Sequence, residues 1–412
     1  MLAAAGLLPL SLLLFLGACG GQPVPAPLEV PAAAGASLPR LSTDPGGNAW
    51  LSWVEPAGTG HALRYARLEE NAWELAGTAA AGDDWFLNWA DFPSVVHLGD
   101  GLMGAHWLHK VDGGPYAYHV RMAISRDGGA HWSAPVTPHD DRSATEHGFV
   151  SLFPRDDGVG AAWLDGRRTA QAAGGGADDD PAGEAHDHGS GPGAMTLRAG
   201  GVALDGTPLE DLELDGMTCD CCPTAVTSVP GGAVLLYRDR SPAEIRDIYS
   251  VRLDTRGWSA PAAVARDDWH MPACPVNGPA VASHGEQLAS AWFTAAGGTP
   301  RVRLAFSADG GRSWSAPMDI AAAETLGRVA VVMDGPDRAV VSWLGHADRQ
   351  AEIRYRRANR SGRLGPVRTL ATTSPARSSG FPQMARVEGG LVFAWTAAGE
   401  PSRVRSARVP LP

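Results

Sequence analysis

Lysine is almost missing from this chain. Lys110 is the only one in 412 residues, and 34 basic side chains face 45 acidic ones for a formal charge of −11. No long basic run occurs, which excludes a nucleic-acid surface, because neutralising phosphates needs clustered cations. Charged residues make up only 19% of the chain and no segment sustains a helical apolar stripe, so helical bundles and coiled coils are excluded. What is plentiful is turn chemistry: 51 glycines and 32 prolines, set among 14 tryptophans. That combination belongs to short strands joined by tight turns, and the length admits one large all-β domain.

Long apolar runs are scarce too. Leu7 to Leu16 is the one candidate, too short for a transmembrane helix of about 20 apolar residues but suited to a signal peptide. It ends in Leu16-Gly17-Ala18-Cys19, which resembles a bacterial lipobox with Cys19 as the acylated residue. Residues 1–19 are thus expected to be a lipoprotein signal, 20–35 a Pro- and Gly-rich tether, and 36–412 the folded domain. The expected location is the bacterial cell envelope, on the periplasmic or outer-membrane side. Membrane contact would run through the lipid alone, and the protein would be a monomer.

A repeat runs through the domain. Strands ending in an aromatic recur at Trp53, Trp107, Trp163, Tyr237, Trp292, Trp343 and Trp395, spaced 54, 56, 74, 55, 51 and 52 residues apart. The one long gap holds the low-complexity stretch from Thr169 to Gly193. Each aromatic strand is followed by a strand bearing an arginine: Arg64, Arg121, Arg198, Arg252, Arg303, Arg354 and Arg405. Each is preceded by a strand that usually opens on proline. Four short strands per period of about 50 residues is the arithmetic of a β-propeller blade. The expectation is a propeller of seven blades, with six as the alternative. The seventh unit lacks a fourth strand, which Leu28-Glu29-Val30 is placed to supply.

Two units carry a sharper motif, Ser125-Arg126-Asp127-Gly128-Gly129-Ala130-His131-Trp132 and Ser307-Ala308-Asp309-Gly310-Gly311-Arg312-Ser313-Trp314. Both resemble the Asp-box (BNR) repeat of sialidase-like propellers, in which the aspartate ties a glycine turn and the tryptophan packs beneath it. With Asp84-Trp85-Phe86, Asn88 to Pro93 and Cys219 to Pro223, the chain from 38 to 409 looks like a group of bacterial sialidase-like lipoproteins.

In a propeller, the loops between second and third strands share one face with the loops from blade to blade. A residue type present in every unit is most simply architectural, so the seven strand arginines are set aside. Units three and four alone follow their aromatic with charge, Asp165-Gly166-Arg167-Arg168 and Arg238-Asp239-Arg240. The expected catalytic set is Asp165, Arg167, Arg238, Asp239, Arg240 and Glu146. Arg40, Asp91, His147, Asn277 and Arg328 are the expected ligand-binding residues on the same face. The resemblance implies an arginine triad gripping a carboxylate. Arg40 matches its first member, and Arg167, Arg238, Arg240 and Arg328 are available for the others. Glu146, Asp165 and Asp239 would supply the acid, whereas the family's tyrosine nucleophile has no clear counterpart.

The same sorting brings Cys219, Cys221, Cys222 and Cys274 across one blade boundary. Two readings stay open: two disulfides in an oxidising compartment, or a soft metal site for copper or zinc with His186, His188 and His270 nearby. Three functions follow. The first is an envelope-anchored protein binding, and as an exo-α-sialidase-like hydrolase cleaving, a glycan or small anionic ligand. The second is a metal-binding or redox envelope protein, and the third a scaffold for protein partners.

Overall fold

The computed structural model describes residues 24–169 and 193–412. Cys19, His186 and His188 lie outside the described residues.

Seven antiparallel sheets follow one another along the chain, and each runs outward in sequence order. Their first strands are Ser37–Thr43, Ser94–Gly99, His147–Arg155, Ala225–Val229, Ala280–His284, Thr325–Met333 and Gln383–Val387, and all seven line one axial channel of about 780 Å³. This is the seven-bladed propeller the repeat calls for. The apolar core is accordingly divided into seven clusters, one between each pair of adjacent blades. Second strands such as Gly158–Asp165 are buried along their whole length because both faces of the blade are covered.

The seventh blade (Gln383–Val387, Gly390–Ala397, Arg403–Pro410) takes its outermost strand from the opposite end of the chain. Ala26–Leu28 pairs antiparallel with Arg403–Pro410, Leu28 opposite Ser406. The closing strand thus lies two residues before the expected Leu28–Val30, and the segment read as tether from 20 to 35 contains it. Blade two is the thinnest, its fourth strand reduced to one bridge between Met122 and Val136.

Register explains the repeat. In six blades the aromatic of the second strand stands opposite the arginine of the third, as in Trp53–Arg64, Trp163–Arg198 and Trp292–Arg303. Those arginines then tie the outer strand, Arg198 to Asp211 and Glu213, and Arg303 to Asp319. Blade four departs from this rule. Tyr237 stands opposite Tyr249, and Arg252 lies opposite Val234, so Arg252 is not the counterpart of the other six.

The Ser125–Trp132 and Ser307–Trp314 turns have matching bonds. The hydroxyl of Ser125 accepts from Gly129 N and that of Ser307 from Gly311 N, both at 2.9 Å, while Asp127 and Asp309 each cap the backbone four residues on. Each turn also grips the preceding blade, through Tyr65 Oη to Gly129 O and Arg252 Nε to Gly310 O.

Candidate functional site

The loop face is assembled by clamps between blades. Phe149 and Arg328, inside the first strands of blades three and six, have positive φ of 55° and 52°. Phe149 N–H donates to Asp91 Oδ1 at 2.6 Å, and Arg328 N–H donates to Asn277 Oδ1 at 2.7 Å. The preceding glycines make room for these acceptors: a Cβ at Gly148 would stand 1.9 Å from Asp91 Oδ2, and one at Gly327 2.2 Å from Asn277 Oδ1. Asp91 and Asn277, expected to touch ligand, are therefore buried clamps of one recurring design. Asp91 also accepts from Tyr118 Oη at 2.9 Å, and burial pushes its carboxyl up to about 7.

Several other expected residues are locked in the same way. Asp165 is 0% exposed and accepts from Trp163 Nε1, Arg167 N and the Arg167 guanidinium. Arg167 is shared among Asp165, Asp140 and Asp211. His147 is buried, with Nδ1 at 3.1 Å from two carbonyl oxygens and Nε2 at 2.9 Å from Asp141, and it stacks on His139 at 4.1 Å. The nearness of Asp141, His147 and Asp165 is thus already accounted for by hydrogen bonds. Arg238, 1% exposed, donates to the carbonyls of Asn277, Arg246 and Phe293 and lies 4.9 Å from the Trp269 ring centre. Asp165, Arg238 and His147 are buried and hold loops, which corrects the expectation for them, and Arg167, one-fifth exposed, is committed to three carboxylates. Rarity in a single blade marked a local fastening.

The remaining candidates lie around the channel mouth. Arg40 lines the channel with no hydrogen bond or ion pair to its guanidinium among the described residues, and burial lowers its pKa. Phe381, also on the channel wall, stacks on Trp89 at 5.6 Å, and the Arg328 guanidinium lies 4.7 Å from the Trp89 ring centre. Arg328 donates to Ser379 Oγ and to the carbonyls of Ala376 and Gly380, and burial, reinforced by Arg377, lowers it to about 10.

Glu146 stands at the boundary of blades two and three. Its carboxyl is half-buried and makes no hydrogen bond or ion pair among the described residues. Burial, then the neighbouring Asp91 and Asp220, push it up to about 8. The phenol of Tyr116 feels both Glu146 and Arg377: burial and Glu146 raise it while Arg377 opposes them. On blade four, Asp239 is raised to about 7 by burial and by Asp215, which also accepts from Tyr237 Oη at 2.5 Å.

Arg240 holds Asp220 and Glu244, and Glu244 also holds Arg246. Arg246 in turn donates to Cys219 Sγ at 3.2 Å. Cys219, Cys221 and Cys222 are buried with their three sulfurs within 4.8 Å of one another, and Cys274 joins the same cluster through Cys221. Burial pushes the Cys219 thiol up, but hydrogen bonds from Cys221 and Cys222 and the charge of Arg246 hold it well below the ordinary range. None of the four is in a disulfide, and His270 is exposed and outside the converging set.

Sequence reasoning passed over Arg246, Glu244, Trp89, Phe381 and Arg377. The first two left a signal in the three arginines between 238 and 246, and Trp89 one in the quoted stretch from Asn88 to Pro93.

No protein-family model matches the chain, and no curated protein matches it in sequence. Solved structures match it in three dimensions. A polysaccharide lyase of family PL25, an ulvan lyase, has a TM-score of 0.50 at 10% identity, covering 94% of this chain and 94% of that one. An α-L-arabinofuranosidase from Fusarium graminearum gives 0.49 at 12%, covering 94% and 96%. A sialidase from Trypanosoma rangeli gives 0.44 at 12%, covering 80% of this chain and 56% of its own. The likeness is one of fold.

Proposed function

We propose that the channel mouth on the loop face binds an anionic or polyhydroxylated glycan, and that Glu146 donates the proton for cleaving a glycosidic bond, an activity sialidase-like in class. Glu146 carries this reading. A carboxyl kept protonated at neutral pH and left without an internal partner is what a general acid toward a leaving sugar oxygen requires. The surroundings supply the rest: a phenol at Tyr116 and guanidinium groups at Arg377 and Arg40 for a carboxylate or sulfate, with Arg328, Trp89 and Phe381 packed together as the wall behind them. A polysaccharide ligand accords with the ulvan lyase of like fold. Acylation at Cys19 would hold this monomer in the cell envelope, to be checked by whether Cys19→Ala moves it from the membrane fraction to the soluble one.

The test is turnover of a panel of fluorogenic glycosides, a sialoside included, with glycan-array binding alongside. Glu146→Gln is expected to lower turnover by about 100-fold or more while leaving binding nearly unchanged. Full turnover in that variant removes Glu146 from the chemistry, and a wild-type protein that neither binds nor cleaves any glycan overturns the proposal.

A further inference from the structure

Four cysteine side chains in one corner of the loop face serve no part of the glycan reading. Cys219 leaves the outer strand of blade three with its N–H on Arg238 O, Thr218 bridges Asp239, and Pro223 already lines the channel. The Cys-Asp-Cys-Cys turn therefore folds back on itself behind the channel wall. Its sulfurs converge: Cys219 Sγ and Cys222 Sγ are 3.3 Å apart, and Cys221 completes a set within 4.8 Å. We propose that Cys219, Cys221 and Cys222 form a three-coordinate thiolate site for one cuprous ion.

The coordination number is what selects the ion. Sulfurs bonded to one metal at about 2.3 Å stand about 4 Å apart in a trigonal plane, a spacing this set reaches with movements of a few tenths of an ångström. Structural zinc needs a fourth ligand, and the sulfur of Cys274, which meets Cys221, does not lie within 4.8 Å of all three of the others. No histidine nitrogen among the described residues joins the set either. All-sulfur ligands suit Cu(I). Nearby guanidinium groups offset part of the charge. Three thiolates and one cuprous ion carry −2, and Arg246 donates directly to Cys219 Sγ while Arg238 and Arg240 stand in the same loop. Binding releases the thiol protons to solvent and moves no electron, so the copper must arrive already reduced. The near-complete burial of the three sulfurs keeps oxidants and water from the ion.

The experiment uses the whole reduced protein under anaerobic conditions, with Cu(I) supplied from a chromogenic chelator that competes for it. One equivalent is expected to transfer, and X-ray absorption should show only sulfur neighbours, three in number. Cys222→Ser should weaken retention by about 100-fold or more, while Cys274→Ser keeps one ion bound. Because a buried serine can also disturb folding, circular dichroism of each variant accompanies the titration. A folded Cys222→Ser protein that holds copper as tightly as wild type overturns the site. So does a four-sulfur zinc complex lost on Cys274→Ser, a failure of any copper to transfer, or a non-reducing peptide map that finds Cys219, Cys221 or Cys222 paired. Glycoside turnover is read in the same preparations, so failure of one proposal is seen independently of the other.

Discussion

Single side chains here divide into those that fasten and those that stay available, and burial decides between them. Arg238 satisfies three backbone carbonyls from inside the protein, so Arg238→Ala leaves buried acceptors without a donor. The expected loss is about 3–5 kcal/mol of stability by denaturant unfolding, with glycan binding per folded molecule unchanged. Glu146 has the opposite character. Its acid form prevails below pH about 8, so turnover should fall as pH rises through that value, and this alkaline limb should vanish in Glu146→Gln. Two histidines make a further prediction. His106 is held near 3 by burial and by the charge of Arg40, and His139 near 3 by burial and by His147. Both are neutral in the fold, whereas the unfolded imidazole takes a proton near 6.5. Their contribution to stability is present above that pH and is lost progressively as pH falls toward 3, which a series of melting curves from pH 7.5 to 4 will show.

At the scale of strands and loops, the repeated positions were legible in the sequence because each blade repeats the same pairing of an aromatic with an arginine. The exception is instructive. Arg252 passes for a seventh member in sequence, but the Tyr237–Tyr249 pair displaces it by three residues along the strand, which only register reveals. Loop sorting placed the cysteines together correctly, since Cys221 meets Cys274 across the boundary of blades four and five. It misjudged Asp165 and Asp91 because a charged residue in one blade can be a clamp as readily as a ligand, and no sequence pattern reports whether a carboxylate is already satisfied. The clamp itself is testable. Gly327 has a φ of +75° and Gly148 faces Asp91, so alanine at either position forces the acceptor away. Each change should cost about 2–4 kcal/mol and weaken cohesion between neighbouring blades, measured as earlier local exchange of Arg328 N–H or Phe149 N–H.

Across the whole molecule, the seven interfacial clusters mean that no blade owns a complete core, so stability depends on closing the ring. Ala26–Leu28 closes it with three residues, of which Leu28 belongs to the buried cluster that holds Leu41, Trp53 and Val404. Removing residues 24–35 should lower the melting temperature by several degrees, because burial of one leucine alone is worth about 2 kcal/mol. An unchanged melting curve would show that the ladder to Arg403–Pro410 contributes nothing.

That seam also fixes how the molecule bears a load. The first described residues run along the rim of the disc, outside every other strand of their blade, and far from the axis. A pull applied at the amino terminus would therefore be felt first as shear between Ala26–Leu28 and its partner, while the other six blades stay slack. Because the strand Ala26–Leu28 lies at the rim, it covers neither opening of the bore.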